Sequence, residues 1–255
     1  MRALITNDDG IDSPGLAVLA DVAAEAGYDV VVAAPASEYS GASASLFGLE
    51  RDGRVVVEPR RAPGLADGHE SYAVAAAPAL IAFLAAYGGF GERPDLVLSG
   101  VNRGPNTGNA VIHSGTVGAA TSAVTQGIRG MAVSIVTADP QHWATAGVVA
   151  AHGLRWLETR EPRAGVLNLN VPDVPADRLR GLRLAPLADF GAVEARIDRT
   201  DGDGAVRVRY AEIDPTTDAD SDAGLAAAGW ATATVLQAPW AVEAPGFPEV
   251  EGPLG

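Results

Sequence analysis

Short, wholly apolar runs alternating with segments of helical period constrain this chain more than any other feature. Ala3-Leu4-Ile5-Thr6 and Val30-Val31-Val32-Ala33-Ala34 show no polar face. Each reads as a strand covered on both sides, as strands of a parallel sheet are. Between them Leu16, Leu19, Ala20 and Ala23 recur at helical spacing, and Gly27 ends that helix. The pattern continues with strands at residues 54–57, 96–99, 131–136 and 166–170, and helices at 78–87, 114–126 and 143–157. Strands separated by helices imply βαβ units, hence an α/β fold with a mainly parallel sheet flanked by helices.

The character changes after Pro172. Val206-Arg207-Val208-Arg209-Tyr210 alternates like an antiparallel strand with one exposed face, residues 200–204 read as a hairpin turn, and residues 232–236 as a late strand. Residues 214–222 are rich in Thr and Asp and are expected to form a surface loop. The expected division is a catalytic core at 1–172, a hairpin and oligomerisation extension at 173–238 packed on the core, and a Pro-rich mobile tail at 239–255.

Composition removes several classes of function. The absence of cysteine excludes a disulfide scaffold, a cysteine zinc site and a thiol nucleophile. A net charge of −14 argues against binding duplex nucleic acid, which needs a Lys/Arg surface. No apolar run approaches the ~20 residues that span a bilayer, and acid appears too early, at Asp8, for a signal peptide. A cytoplasmic enzyme free of the membrane is expected.

Three loops at strand ends carry the candidate chemistry. In an open parallel sheet, ligands bind outside the carboxyl ends of the strands. The first loop is Asn7-Asp8-Asp9-Gly10-Ile11-Asp12-Ser13-Pro14-Gly15. Adjacent carboxylates repel, so one takes a proton or a hard cation neutralises the pair; alternatively Asp9-Gly10 is a plain turn. Ser13 is expected to cap the following helix with Pro14 at its first position. The second loop, Ser37-Glu38-Tyr39-Ser40-Gly41-Ala42-Ser43, either supplies hydroxyls to a metal or phosphate or is simply polar. The third runs from Ser99-Gly100-Val101-Asn102-Arg103-Gly104-Pro105-Asn106 to His113-Ser114-Gly115-Thr116. A helix opening at Ser114-Gly115-Thr116 offers amides and a positive dipole to an anion. Asn102 and Asn106 add neutral amides, and Arg103 a cation. This is no Walker A loop, because the Gly-Lys-Ser/Thr ending is missing. His113 stands where it could donate a proton to a leaving oxygen, or serves only the loop. Trp143 and Trp156 read as packing residues.

Together these loops resemble the SurE family (survival protein E), metal-dependent 5′/3′-nucleotidases and phosphomonoesterases. Asn168-Leu169-Asn170-Val171-Pro172 and Gly229-Trp230-Ala231-Thr232 resemble weaker markers of the same family, so the likeness runs from Met1 to about Leu236. The resemblance implies a Rossmann-like core with a C-terminal β-hairpin extension. It implies one divalent cation per subunit (Mg²⁺, Mn²⁺ or Ca²⁺) on Asp8, Asp9, Ser40 and Asn102, and phosphate contacts at Asn106, Ser114, Gly115 and Thr116. It implies a homodimer or homotetramer built through the C-terminal extension. The chain departs from the family pattern at Ala76-Ala77-Pro78, His113 and Ser122. The expected reaction is hydrolysis of a nucleoside 5′- or 3′-monophosphate by an activated water, with Asp8 or Asp9 orienting or deprotonating that water. The rival expectations are a nucleotide or sugar-phosphate binding module without catalysis, and a nucleotide-sugar glycosyltransferase-like domain.

Overall fold

Burial on both faces dictates the central strands. The computed structural model describes residues 1–48, 50–189, 193–199, 206–212 and 218–238. Its strands are β1 (Arg2–Thr6), β2 (Asp29–Pro35), β3 (Glu50–Arg51), β4 (Arg54–Val55), β5 (Val57–Pro59), β6 (Glu70–Val74), β7 (Leu96–Arg103), β8 (Arg129–Ile135), β9 (Val166–Val171), β10 (Leu182–Leu184), β11 (Val193–Arg199), β12 (Val206–Glu212) and β13 (Ala231–Leu236). Its helices are α1 (Gly15–Glu25), α2 (Pro78–Ala86), α3 (Gly115–Thr125), α4 (Trp143–Glu158) and α5 (Asp222–Ala227), with a 3-10 turn over Gly108–His113 before α3.

One sheet of nine strands runs β10-β13-β9-β8-β7-β1-β2-β6-β5. The six strands from β9 to β6 are parallel. β13 is antiparallel to β9 and β5 to β6. Alternate residues serve opposite layers. Ile5, Val32, Leu98, Val133 and Leu169 join α1 and α4 in one core, while Leu4, Val31 and Val97 join α2 and α3 in another. Each fully buried Leu or Ile there contributes about 1.5–3 kcal/mol of transfer free energy. From β1 the chain crosses by α1 to β2 on one side, and later by α2 to β7 on the other. The order therefore reverses between β1 and β7, and the crevice at their carboxyl ends is where a sheet of this kind binds ligand.

The structure differs from the sequence reading in several places. Residues 54–57 are not one strand: β4 pairs with β3 in a small hairpin, and β5 lies at the sheet edge. The parallel strand beside β2 is instead β6, whose half-exposed Glu70, Ser71 and Tyr72 hide it from an apolar-run search. β7 does not stop at Ser99 but continues to Arg103 after a register shift, so Asn102 and Arg103 end a strand. Ser13 does not cap α1. Its buried Oγ has no partner, because backbone bonds from Ser13 N to Gly10 O and from Leu16 N to Ser13 O already make the turn. Residues 218–222 are not all surface loop: Asp222 is fully buried in the first turn of α5. Within 173–238, β11 and β12 form their own antiparallel pair, whereas β10 and β13 join the main sheet. The expected turn at 200–204 and the tail at 239–255 lie outside the described residues.

The loop into α4 is held by one carboxylate. Asp173, just after β9, accepts from the N–H of Gln141 at 3.1 Å and of His142 at 2.7 Å, and pairs with His142 Nδ1 at 3.1 Å. Desolvation pushes its pKa up, but those bonds outweigh it and hold the group below its ordinary 3.8. A depressed folded-state pKa stabilises above the unfolded value and is lost as pH falls through the folded one. Asp173→Asn should therefore cost about 1 kcal/mol at pH 7, and urea denaturation should show the difference shrinking as pH falls below 3.8.

Candidate functional site

The site grows from the end of β1. Asn7 closes the turn after that strand: its Oδ1 accepts from Gly10 N and its Nδ2 donates to Gly10 O, both at 3.0 Å. This fixes the backbone from which Asp8 and Asp9 project. Asp8 is only 4% exposed, and its Oδ1 accepts from Thr116 Oγ1 in the first turn of α3 at 2.5 Å. Gly115 makes that approach possible, since a Cβ there would lie 2.8 Å from Asp8 Cβ and 2.9 Å from Asp8 Oδ2. The glycine is needed for its missing side chain, so that a carboxylate can sit against the positive end of the helix.

Asp9 turns toward the end of β7. Its Oδ2 accepts from Arg103 N at 3.2 Å, and its Oδ1 lies 3.4 Å from Arg103 Nε. The Asp9 side chain is 4% exposed against 45% for Arg103, so the cation reaches in from the rim. Burial pushes the Asp8 carboxyl up to about 6; the Thr116 bond pulls down and the charge of Asp9 pushes up again. Burial also raises Asp9, opposed by Arg103 and reinforced by Glu38.

The other sequence-predicted ligands reach this pair through their neighbours. Tyr39 N donates to Asp8 O at 2.8 Å, which draws the Ser40 loop against β1's end. Ser40 itself is exposed and donates its proton to Glu38 Oε1 at 2.6 Å. Asn102 precedes Arg103 and donates from Nδ2 to Gly104 O at 2.8 Å. Both neutral side chains thus give their donor ends to local acceptors and retain oxygen lone pairs. Two buried carboxylates carry excess negative charge beside one rim arginine, and Ser40 and Asn102 offer neutral oxygens on the adjoining loops. That chemistry fits a hard divalent cation. Among the described residues no group of three or more His, Asp or Glu gathers to hold a metal, so the neutral oxygens must complete any such site.

The phosphate-side residues divide into two groups. Ser114 caps α3, its Oγ accepting from Val117 N at 3.1 Å, which leaves the hydroxyl proton to donate. Thr116 is fully buried and gives its hydroxyl to Asp8. Asn106 is anchored farther along the sheet. Its N–H donates to Asn170 Oδ1 at 2.8 Å, and its carbonyl accepts from Nδ2 of both Asn168 and Asn170 at 2.9 Å. Its own Nδ2 donates to Ser134 Oγ at 2.8 Å. The roles of Ser134, Asn168 and Asn170 were missed in the sequence. The available signal was the Asn-Leu-Asn alternation on β9, which places both amides on one face of a buried strand. His113 is exposed; its carbonyl accepts from Ser43 N at 3.1 Å. Trp143 packs against the core, and Trp156 lies under the Arg160 guanidinium.

Comparison with known proteins finds relatives of this chain. The family model described as "Survival protein SurE" matches residues 3–192. A Stenotrophomonas maltophilia protein named 5′-nucleotidase SurE is 37% identical over 207 residues, covering 80% of this chain and 76% of the relative. A Legionella pneumophila protein of the same name is 36% identical over 225 residues, covering 88% and 84%. The crystal structure of SurE protein from Aquifex aeolicus superposes with a TM-score of 0.76 over 93% of each chain, at 24% identity, and so supports the fold.

Gly115→Ala tests the seat of Asp8 under α3. The added methyl should lower stability by about 1–3 kcal/mol through overpacking, more than the gain of about 1 kcal/mol in helix propensity. An unchanged melting temperature would mean that Asp8 does not lie there.

Proposed function

The chain belongs to the SurE family, and on that footing we propose that it is a 5′-nucleotidase that uses a divalent cation to hydrolyse nucleoside 5′- or 3′-monophosphates. The products are nucleoside and inorganic phosphate. The observation that carries this reading is the buried Asp8 carboxylate against the first turn of α3. A helix N-terminus attracts phosphate, but here two carboxylates already crowd that end and would repel it. A phosphate can share the crevice only when a cation stands between the anions.

Asp8, Asp9, Ser40 and Asn102 would hold that cation, which is Mg²⁺, Mn²⁺ or Ca²⁺ by donor chemistry. The chemistry it supplies when bound is neutralisation of phosphoryl charge and acidification of a nearby water. The protein does the rest. Asn7 and Thr116 hold Asp8 in place, and Arg103 holds Asp9. One of the two carboxylates orients the attacking water and takes its proton. Ser114, with the amides of Gly115 and Thr116, faces the phosphoryl oxygens as charge builds on them. Asn106 fixes the loop that approaches the same group. The crevice lies at the end of the sheet, so the nucleoside leaves toward solvent.

Two further readings accompany this one. β10 is an edge strand with Leu182 40% and Leu184 77% exposed, which favours self-association through the C-terminal part into a dimer or tetramer. No helix of the described residues is long and apolar enough to cross a membrane, and a place in the cytoplasm is part of the proposal.

Asp8→Asn and Asp9→Asn should each lower turnover of a nucleoside 5′-monophosphate by more than about a hundredfold, with the circular-dichroism spectrum unchanged. Wild-type phosphate release should need added Mn²⁺ or Mg²⁺ and stop with EDTA. Nucleotide binding with no phosphate release under any metal would leave a binding module, and release that ignores EDTA would remove the cation from the scheme.

A further inference from the structure

The loop that delivers Ser114 to the crevice is held at a second point, far along the sequence. Asp222 is fully buried, yet it pairs with no cation among the described residues. Both of its oxygens accept from Gly108 N, at 3.0 and 3.2 Å. Oδ1 also accepts from Ala188 N at 3.0 Å and from Ala223 N at 2.8 Å. Burial pushes this carboxyl up from its ordinary value, against the pull of those amides. A buried anion with only amide partners is a poor way to gain stability, since an apolar group would avoid the desolvation. What it does provide is a fixed location for Gly108.

Gly108 opens the 3-10 turn Gly108–His113, which ends at Ser114, the cap of α3. Six residues at about 2 Å rise carry the chain from Gly108 to Ser114, so the place of Gly108 limits where Ser114 can stand. A parallel strut lies beside it, where Asn109 Nδ2 donates to Asp189 O at 2.6 Å. Upstream, Asn106 is already fixed on β8 and β9.

We propose that Asp222 is a positioning residue of the reaction: its carboxylate fixes Gly108 and, through the turn that follows, sets where Ser114 and the first turn of α3 meet the substrate's phosphate. The inference rests on the nucleotidase reading for its kinetic effect but not for its structural one. Asp222 touches no reacting atom. It reaches the crevice from the C-terminal part of the chain and makes phosphate capture depend on how that part is seated.

The test compares wild type with D222N, D222E and a control, L154A, whose leucine is 1% exposed and lies in the core shared by α1 and α4, whereas Val111 of the loop lies in another. Below every melting temperature, D222N should raise KM for adenosine 5′-monophosphate and the inhibition constant of inorganic phosphate together, by about tenfold, and lower kcat as well, because Ser114 also meets the charge that builds during reaction. D222E keeps the charge but displaces it and should shift both in the same direction. L154A should lose melting temperature and neither constant. Asp222 variants that melt lower yet keep wild-type KM and phosphate inhibition would overturn the proposal. Amide exchange of the wild type decides the matter if neither variant folds. Inorganic phosphate should slow exchange at Gly108 together with Gly115–Val117, and no slowing at Gly108 would overturn the proposal. A wild type that hydrolyses no nucleotide would end the nucleotidase reading, and the exchange measurement would still judge the role of Asp222.

Discussion

The crevice is organised by a buried carboxylate pressed against a helix N-terminus. Asp8 sits under the first turn of α3 because Gly115 has no side chain and Thr116 offers a hydroxyl. The helix dipole favours one negative charge at that end. It does not compensate for the adjacent Asp9 as well, and Arg103 meets Asp9 only from the half-exposed rim. The fold thus accumulates negative charge at the place where its topology brings a ligand, between the ends of β1 and β7. An electron-rich substrate becomes compatible with such a crevice once positive charge enters it.

Around that contact the sheet supplies a polar floor. On the α3 side, Ser134, Asn168 and Asn170 take over where Ala132 and Val166 are apolar. These residues do not face solvent. Asn168 and Asn170 hold the backbone of Asn106, Ser134 accepts from its side-chain amide, and Asp222 holds the backbone of Gly108. The loop between β7 and α3 has little apolar area of its own, so hydrogen bonds to buried side chains define its shape. Such bonds are strong in a low-dielectric interior, although Asn168 Oδ1 and Thr107 Oγ1 are buried there without a partner.

Much of this was legible in the sequence and some was not. The apolar runs of β1, β2, β7 and β8 announced a parallel sheet because burial on both faces leaves no polar alternation to misread. Ser114 was legible as a helix cap because the small polar residue precedes a helical run. β6 was not, since its exposed half near the edge dilutes the strand signal. Ser13 looked like a cap because residue type alone does not reveal that backbone bonds have already closed the turn. Asp222 looked solvated because it follows a run of acids, and only tertiary contacts from Gly108 and Ala188 make its burial tolerable. Asp8, Asp9 and Arg103 were legible at strand ends, but the pairing of Arg103 with Asp9, 94 positions apart, was not. The bonds of Asn168 and Asn170 to Asn106 join residues more than sixty positions apart, which no local pattern encodes.

The central claim is that one divalent cation joins the acids after β1 to Ser40 and Asn102. Crystals soaked in Mn²⁺ and measured at its absorption edge test this directly. The account predicts one strong anomalous peak per subunit about 2.0–2.6 Å from oxygens of Asp8, Asp9, Ser40 and Asn102. No peak in that crevice, with manganese bound at other carboxylates, would contradict it.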